Sequence, residues 1–233
     1  MSVLVFTFPH LPPAYQSTTL ALFPSLDPST SSALRSRLIA APSGTPSERE
    51  TLNYAFIDAR LITSERHLRT GLHQALLAVS RGAGSEVEGG MKTKTAHSEV
   101  LFALHPSGNI GESIRKFGIS ATTTSLLLLR VGPPSVSSKS TLDDMRTLIS
   151  SSSPIAEIEV ADLAQDGALD AYLFRLTSWK DVESVYKLGK DVDGLFGRRK
   201  AGVGEEDKDK EAAQNVWMDR VVTTIVAMKP VAA

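Results

Sequence analysis

Short apolar runs, separated by stretches of helical periodicity, set the pattern of this chain. Runs with alternating or continuous apolar residues predict β-strands over residues 3–8, 19–23, 53–59, 125–131 and 155–160. The pattern at 155–160 is the weakest of the five. The run at 126–131 is interrupted by Arg130 and is far too short to span a membrane. The opening run has no basic residue before it, so we expect a strand there and no secretion signal.

Amphipathic helices are predicted between these runs. Asp27 and Pro28 are typical of a helix start, and Ser64 begins a second helix with apolar residues on one stripe. Further helices are predicted over 96–105, 178–186 and 211–228. Helices around four or five short strands indicate an α+β fold: a single domain with a mixed β-sheet of about four to five strands.

The helix after Asn109 has the most complete set of local signals. Asn109 and Glu112 have the spacing of a capping box, and Gly118 can end the helix in a left-handed conformation. We expect one face of this helix to point inward, formed by Ile110, Ile114 and Phe117.

Three segments read as long mobile loops inserted into the domain. Residues 80–90 are glycine-rich, 132–154 begin Gly-Pro-Pro and end in a serine run, and 190–210 end in alternating charges. A short helix over 142–149 is the one element predicted inside them. No second hydrophobic core is apparent, which favours one domain.

Composition excludes several classes of function. A net charge of −1 leaves only a local patch for any nucleic-acid contact, and the absence of cysteine removes thiolate catalysis and Cys-ligated zinc. A phosphate-binding loop needs Gly-Lys-Ser/Thr after a strand, but Met91 separates Gly90 from Lys92. The histidines are scattered, and no nucleophile motif occurs. We therefore expect no enzyme activity, no cofactor, no metal and no membrane contact.

Two surfaces remain as candidates. Lys92 and Lys94 lie on a turn where hydroxyls and helix-start amides are natural phosphate donors, although a solvated rim explains the same charges. The last helix is apolar on more than one side: Trp217, Val221, Ile225 and Met228 form one face, and Val222, Thr223 and Val226 form another. The second face belongs either in the same core or against a partner.

Residues 91–119, MKTKTAHSEVLFALHPSGNIGESIRKFGI, and the later DVESVYKL at 181–188 give this sequence a family resemblance. Their order and spacing resemble the small kinase-binding subunit of the KEOPS/EKC complex, the PRPK-binding protein family, in a fungal type with long loops. The resemblance implies a non-catalytic subunit that binds and regulates an atypical kinase/ATPase and helps recruit tRNA through its 3′ CCA end. The modification is threonylcarbamoyladenosine, made by a separate transferase subunit of the same complex.

The resemblance also implies links to telomere maintenance and transcription, and a location in nucleus and cytoplasm. Taken with the residue patterns, it predicts tRNA contacts at Lys92, Lys94, His97, Arg115 and Lys116. It predicts kinase contacts at Tyr186, Leu188, Val222 and Val226. The alternatives are a small-molecule-binding regulatory domain with the glycine-rich loop as a lid, and a hydrolase whose residues converge only in space.

Overall fold

The computed structural model describes residues 3–82, 90–153, 159–197 and 205–230, with side chains from 209 onward in the last range. Its strands are β1 Leu4–Thr7, β2 Ser17–Phe23, β3 Ala55–Asp58 and β4 Leu126–Gly132. Its α-helices are α1 Pro28–Ala40, α2 Pro46–Thr51, α3 Glu65–Ser80, α4 Ala96–Leu104, α5 Ile110–Phe117, α6 Ser138–Ser150, α7 Ala168–Leu176, α8 Trp179–Tyr186, α9 Gly189–Phe196 and α10 Glu205–Met228. None of these helices is both long and apolar enough to cross a bilayer.

The strands form one sheet in the order β1-β2-β4-β3. The α+β class is confirmed, but every pairing among the described strands is antiparallel, so the predicted mixed sheet is wrong in that respect. The fifth predicted strand is not seen at 159–160, and 154–158 lie outside the described residues.

Both faces of this sheet are buried. Along β4, Leu127 and Leu129 point to one side, whereas Leu126 and Leu128 point to the other, and all four are fully buried. Antiparallel strands usually alternate apolar and polar residues, because one face meets water. Here helices cover both faces, which explains why β4 is a continuous run of leucines.

The sheet therefore separates two hydrophobic clusters, where the sequence suggested one core. The α3-side cluster contains Leu20, Leu22, Leu127 and Leu129 with buried residues of α3, α4, α7, α8, α9 and α10. The α6-side cluster contains Phe23, Leu126 and Leu128 with Leu34 of α1 and Met145 and Leu148 of α6. The strands contribute to both clusters by simple alternation.

The predicted loop at 132–154 is largely wrong. It contains α6, which is longer than the predicted helix over 142–149 and buries Leu142, Met145, Leu148 and Ile149. The predicted loop at 190–210 includes most of α9 and the first turn of α10, while α7 was not predicted at all. Residues 83–89 and 198–204, in the other predicted loop segments, lie outside the described residues.

The helix after Asn109 differs from its prediction in three details. Asn109 accepts from Glu112 N at 3.1 Å, but the Glu112 side chain pairs with Arg115, so the reciprocal capping box is absent. Of the predicted apolar face, Phe117 is buried, whereas Ile110 and Ile114 are 37% and 47% exposed, and the helix buries Ser113 as well. Gly118 is extended at φ −77° rather than left-handed.

Candidate functional site

The basic turn, residues 91–95, is fixed by the start of α4. Thr95 caps the helix by accepting from Ser98 N at 3.1 Å, and Ser98 Oγ accepts from Thr95 N at 3.2 Å. This is the reciprocal capping box that α5 lacks. Lys92 and Lys94 point to solvent, and neither ammonium has a hydrogen bond or ion pair within the described part of the chain. Both cations are thus free to meet an anion.

Two backbone amides of the same turn, those of Lys92 and Thr93, are already occupied. Glu99 is 2% exposed, and its Oε2 accepts from Lys92 N at 3.1 Å, Thr93 N at 2.8 Å and Thr93 Oγ1 at 2.7 Å. A carboxylate of the chain itself thus occupies two amides that precede α4, and these two amides are closed to a phosphate. The exposed side chains of Lys92 and Lys94 remain available for that role.

His97 is a structural residue inside the fold. Val131 N donates to its Nε2 at 3.1 Å, so Nδ1 carries the proton and donates to Asn53 Oδ1 at 2.9 Å. Burial, aided by the charge of Arg130, lowers the pKa of His97 to about 4. The ring links α4 to the sheet and is 8% exposed, so its predicted contact with tRNA is wrong.

Arg115 and Lys116 are exposed in the last turn of α5. Arg115 forms an ion pair with Glu112 at 2.6 Å. The neighbouring Phe117 ring lies 6.0 Å from His105, which follows the C-terminal end of α4. The nine residues of α4, roughly 13 Å of helix, thus separate this pair from the basic turn. The structure does not join the two pairs of cations into one compact patch.

Tyr186 and Leu188, predicted to contact a kinase, are only 5% and 4% exposed. The Tyr186 hydroxyl donates to Leu104 O at 2.6 Å and lies 3.1 Å from His67 Nε2. Burial raises the pKa of Tyr186 well above its usual range. Burial also lowers the pKa of His67 to about 4, although the negative charge of Asp219 acts in the opposite direction. These side chains hold α8 against α3 and α4 and offer no surface to a partner.

Val222 and Val226 are also core residues, with 0% and 1% exposure. Of the two places left open for this face, the structure shows the same core, so the predicted kinase contacts at Val222 and Val226 are wrong. α10 is also rotated relative to the predicted orientation. Its buried stripe is Met218, Val222 and Val226, while Trp217, Val221 and Ile225 are half-buried and Met228 is 53% exposed. Residues 216–228 are apolar around most of the helix, so periodicity alone does not fix which side docks.

What remains exposed on α10 is a nearly uncharged stripe. Val216 and Met228 are 51% and 53% exposed. From Ala213 to Met228, exposed positions recur every three or four residues, which places them on one side of the helix. We call this stripe the outer face of α10; it consists of Ala213, Val216, Arg220, Thr224, Ala227 and Met228. Arg220 supplies its single charge.

An open groove of about 990 Å³ lies between α3, α7 and the turn after β1. In it, His10 Nε2 and His73 Nε2 are 2.9 Å apart, and the His73 ring stacks on Phe8. The lining is mostly charged and polar, and the described residues of the glycine-rich segment, 80–82 and 90, are not part of it. Small-molecule sites are typically enclosed and apolar, so the groove gives little support to that alternative. No cluster of three or more His, Asp or Glu with metal-ligand geometry occurs in the described residues.

Comparison with known proteins agrees with the resemblance of residues 91–119. Residues 27–230 match the family model described as kinase binding protein CGI-121. The EKC/KEOPS complex subunit cgi121 of Aspergillus fumigatus is 32% identical over 183 residues, covering 78% of this chain and 81% of that protein. The CGI121 subunit of Phaeosphaeria nodorum is 28% identical over 258 aligned residues, covering 97% and 98%. That of Yarrowia lipolytica is 42% identical over 78 residues, covering 34% and 42%. The family match runs from the cap of α1 to beyond the end of α10, and the chain therefore belongs to the CGI-121 family.

Proposed function

We propose that this protein is a non-catalytic subunit of an EKC/KEOPS complex that binds and regulates the kinase/ATPase subunit and helps recruit tRNA for threonylcarbamoyladenosine synthesis. The observation that carries the proposal is the family match over residues 27–230, together with near full-length relatives that are named as subunits of this complex. Contact with the transferase subunit is indirect in this proposal, through the kinase. Roles in telomere maintenance and transcription, and a location in nucleus and cytoplasm, belong to the same proposal.

A non-catalytic role is supported by the hydrogen bonds that tie buried ionisable side chains to other groups of the same chain. His67, His97 and Glu99 are buried, and each is hydrogen-bonded to neighbouring groups of the same chain. Asp219 accepts from Thr63 Oγ1 at 2.7 Å and pairs with Arg66 at 3.0 Å. Groups with structural partners are not poised as an acid and base for a substrate. The purified subunit alone is accordingly expected to show no ATP hydrolysis and no threonylcarbamoyl transfer.

The outer face of α10 is the surface we propose for the kinase. From Ala213 to Met228 it extends over roughly 22 Å of helix, which suits a groove or flat face on a partner. Exposed apolar side chains with little charge between them are what protein interfaces bury at their centres. The proposal moves the contact from the buried Val222 and Val226 to Val216 and Met228.

Charge placed on that face tests the assignment. Val216→Glu with Met228→Glu is expected to abolish co-purification with the kinase, since a buried unpaired charge at an interface costs about 2–5 kcal/mol. The side chains are half-exposed, so the circular dichroism spectrum is expected to stay that of the wild type. Val136→Glu, 45% exposed before α6, is the matched control. Retained kinase binding by the folded double variant would remove this face from the proposal.

For tRNA, we propose that Lys92 and Lys94 contact phosphates of the strand near the 3′ end. Lys92→Glu with Lys94→Glu is expected to weaken binding of all tRNAs by the assembled complex, because phosphate contacts carry no base identity. The slope of log affinity against log salt should flatten by roughly one unit per lost contact. Binding is measured with full-length tRNA and with tRNA that lacks its CCA end. The wild-type complex should bind the truncated tRNA as weakly as the double variant binds full-length tRNA.

A matched control separates a specific contact from a general loss of positive charge. Arg35→Glu with Lys139→Glu makes the same change in net charge on the exposed surface of α1 and α6, across the sheet from the basic turn. It should leave tRNA affinity and salt slope unchanged. Equal losses in both double variants would mean that the turn is only a solvated rim.

A further inference from the structure

Lys187 has a strained backbone in a position where helices usually place glycine. It follows α8 with φ 59° and ψ 38°, the left-handed region, and is the non-glycine residue with positive φ in the described part of the chain. Leu188 N donates to Glu183 O at 2.9 Å and Lys187 N to Ser184 O at 3.3 Å, the two bonds of a Schellman ending. Glycine satisfies the same bonds without the clash that a Cβ brings. The lysine therefore costs stability where it stands.

The side chain of Lys187 lines a surface pocket with two other lysines. Val182 and Tyr186 bury one side of α8, and the opposite side opens into a pocket of about 590 Å³. Its lining is Lys180, Glu183, Ser184, Lys187, Gly189 and Lys190. None of the three ammonium groups has a hydrogen bond or ion pair within the described residues. Three lysines and one glutamate give the lining residues a formal charge of +2.

We propose that this pocket binds a ligand carrying two or more phosphate groups. Seven residues of helix, roughly 10 Å, separate the backbones of Lys180 and Lys187, which suits a ligand with charge spread over more than one phosphate. The shared chemistry is a run of phosphates, supplied either by a nucleic-acid strand or by a small polyphosphate. Strained backbone positions cluster at binding sites, and Lys187 is both strained and part of this lining.

Lys187→Gly tests the proposal because its two effects have opposite signs. The change relieves the left-handed strain, so the melting temperature is expected to stay the same or to rise. It removes one cation from the pocket, so affinity for phosphates is expected to fall roughly fivefold at low salt, with a flatter salt slope. Glu183→Gln removes the carboxylate and is expected to tighten binding. Lys139→Gly, on the exposed side of α6, serves as the control for loss of one surface lysine.

Two probes, titrated into the full chain, separate the sources of phosphate. Inorganic tripolyphosphate is followed by calorimetry and a labelled single-stranded RNA by anisotropy. Weakening of both by Lys187→Gly supports a general phosphate site, and weakening of RNA alone assigns the strand. The proposal is overturned if the wild type binds neither probe, or if Lys187→Gly binds as tightly as Lys139→Gly. It does not depend on the basic turn, because the Lys92 and Lys94 variants are scored separately with tRNA.

Discussion

His67 and His97 are buried inside hydrogen-bonded networks that require their neutral form. Each has both ring nitrogens engaged, His67 between Thr63 and Tyr186 and His97 between Asn53 and Val131. Burial, the largest cause in both cases, lowers their pKa values from 6.5 to about 4. A proton added to either ring breaks a hydrogen bond that the ring accepts and places a charge in the core.

This arrangement predicts acid sensitivity in a defined range. The unfolded chain takes up protons near pH 6.5 and the folded chain only near pH 4, so the stabilisation is complete above 6.5 and is lost between 6.5 and 4. Each histidine contributes up to about 3 kcal/mol to that loss. His97→Gln keeps a donor and an acceptor but does not titrate, and urea unfolding should show a free energy that falls by about 2 kcal/mol less on acidification. An unchanged pH slope in this variant would contradict the assignment.

At the basic turn, the sequence showed the cations but not what fills the amides between them. Lys92 and Lys94 were predicted from the sequence. The return of Glu99 into the turn was not, because a carboxylate at that position serves equally well on a solvated helix face. The side chains of Lys92 and Lys94 point to solvent, whereas the side chain of Glu99 turns back onto the amides. Tertiary packing decides these directions, and local spacing does not reveal them. His97 was misread for the same reason.

Gly118 shows how a junction between elements can need glycine without needing a positive φ. It ends α5 and pairs with Ile57 at the edge of β3, and a Cβ there would lie 2.4 Å from the Ile114 carbonyl oxygen. That neighbour is backbone and cannot move away without unwinding the last turn. Conformational preference pointed to glycine at this position, but close approach is the physical cause.

Gly118→Ala is therefore expected to destabilise the fold by about 2 kcal/mol or more, as overpacking does. Gly108→Ala is the matched control: it lies in the loop before α5 with nothing within 4 Å of its would-be Cβ. That change should be neutral or slightly stabilising, since alanine restricts the unfolded chain. Thermal melts of both variants provide the measurement. Equal midpoints would show that the α5 junction relaxes around the added methyl group.

The elements that sequence reasoning missed, or predicted too short, have weak local signals. α7 starts after Gly167 in the left-handed region, with no side-chain cap, so nothing in the residue types announces it. α6 lies in a serine-rich segment typical of a loop, although Leu142, Met145, Leu148 and Ile149 recur at helical spacing. α10 was placed correctly but rotated, because its apolar residues surround most of the helix. The sequence predicts that strongly periodic elements exist. It does not predict which side of a helix docks when apolar residues surround most of that helix, as in α10.

For the whole molecule, burial of both sheet faces ties the two hydrophobic clusters together. β2 and β4 are paired along their full length, from Ser17 with Gly132 to Phe23 with Leu126, and each strand alternates between the clusters. Each layer of helices packs on its own face of the sheet, but both faces are formed by the same strands, so neither layer keeps its contacts once the strands separate. Such shared strands favour one cooperative transition.

The cooperativity of unfolding can be tested by mutating a residue on one side of the sheet and following unfolding with a probe on the other side. Trp179 and Trp217, the only tryptophans of the chain, both pack against the α3-side cluster, and Met145 is fully buried in the α6-side cluster. Met145→Ala is expected to cost about 2–4 kcal/mol. Tryptophan fluorescence and far-ultraviolet circular dichroism should report the same lowered urea midpoint, although the mutation and the tryptophans lie on opposite faces. Arg35→Ala, exposed on α1, should change stability by no more than about 0.5 kcal/mol. If the fluorescence midpoint stayed at its wild-type value while the circular dichroism midpoint fell, the two layers would unfold separately and the shared strands would not couple them.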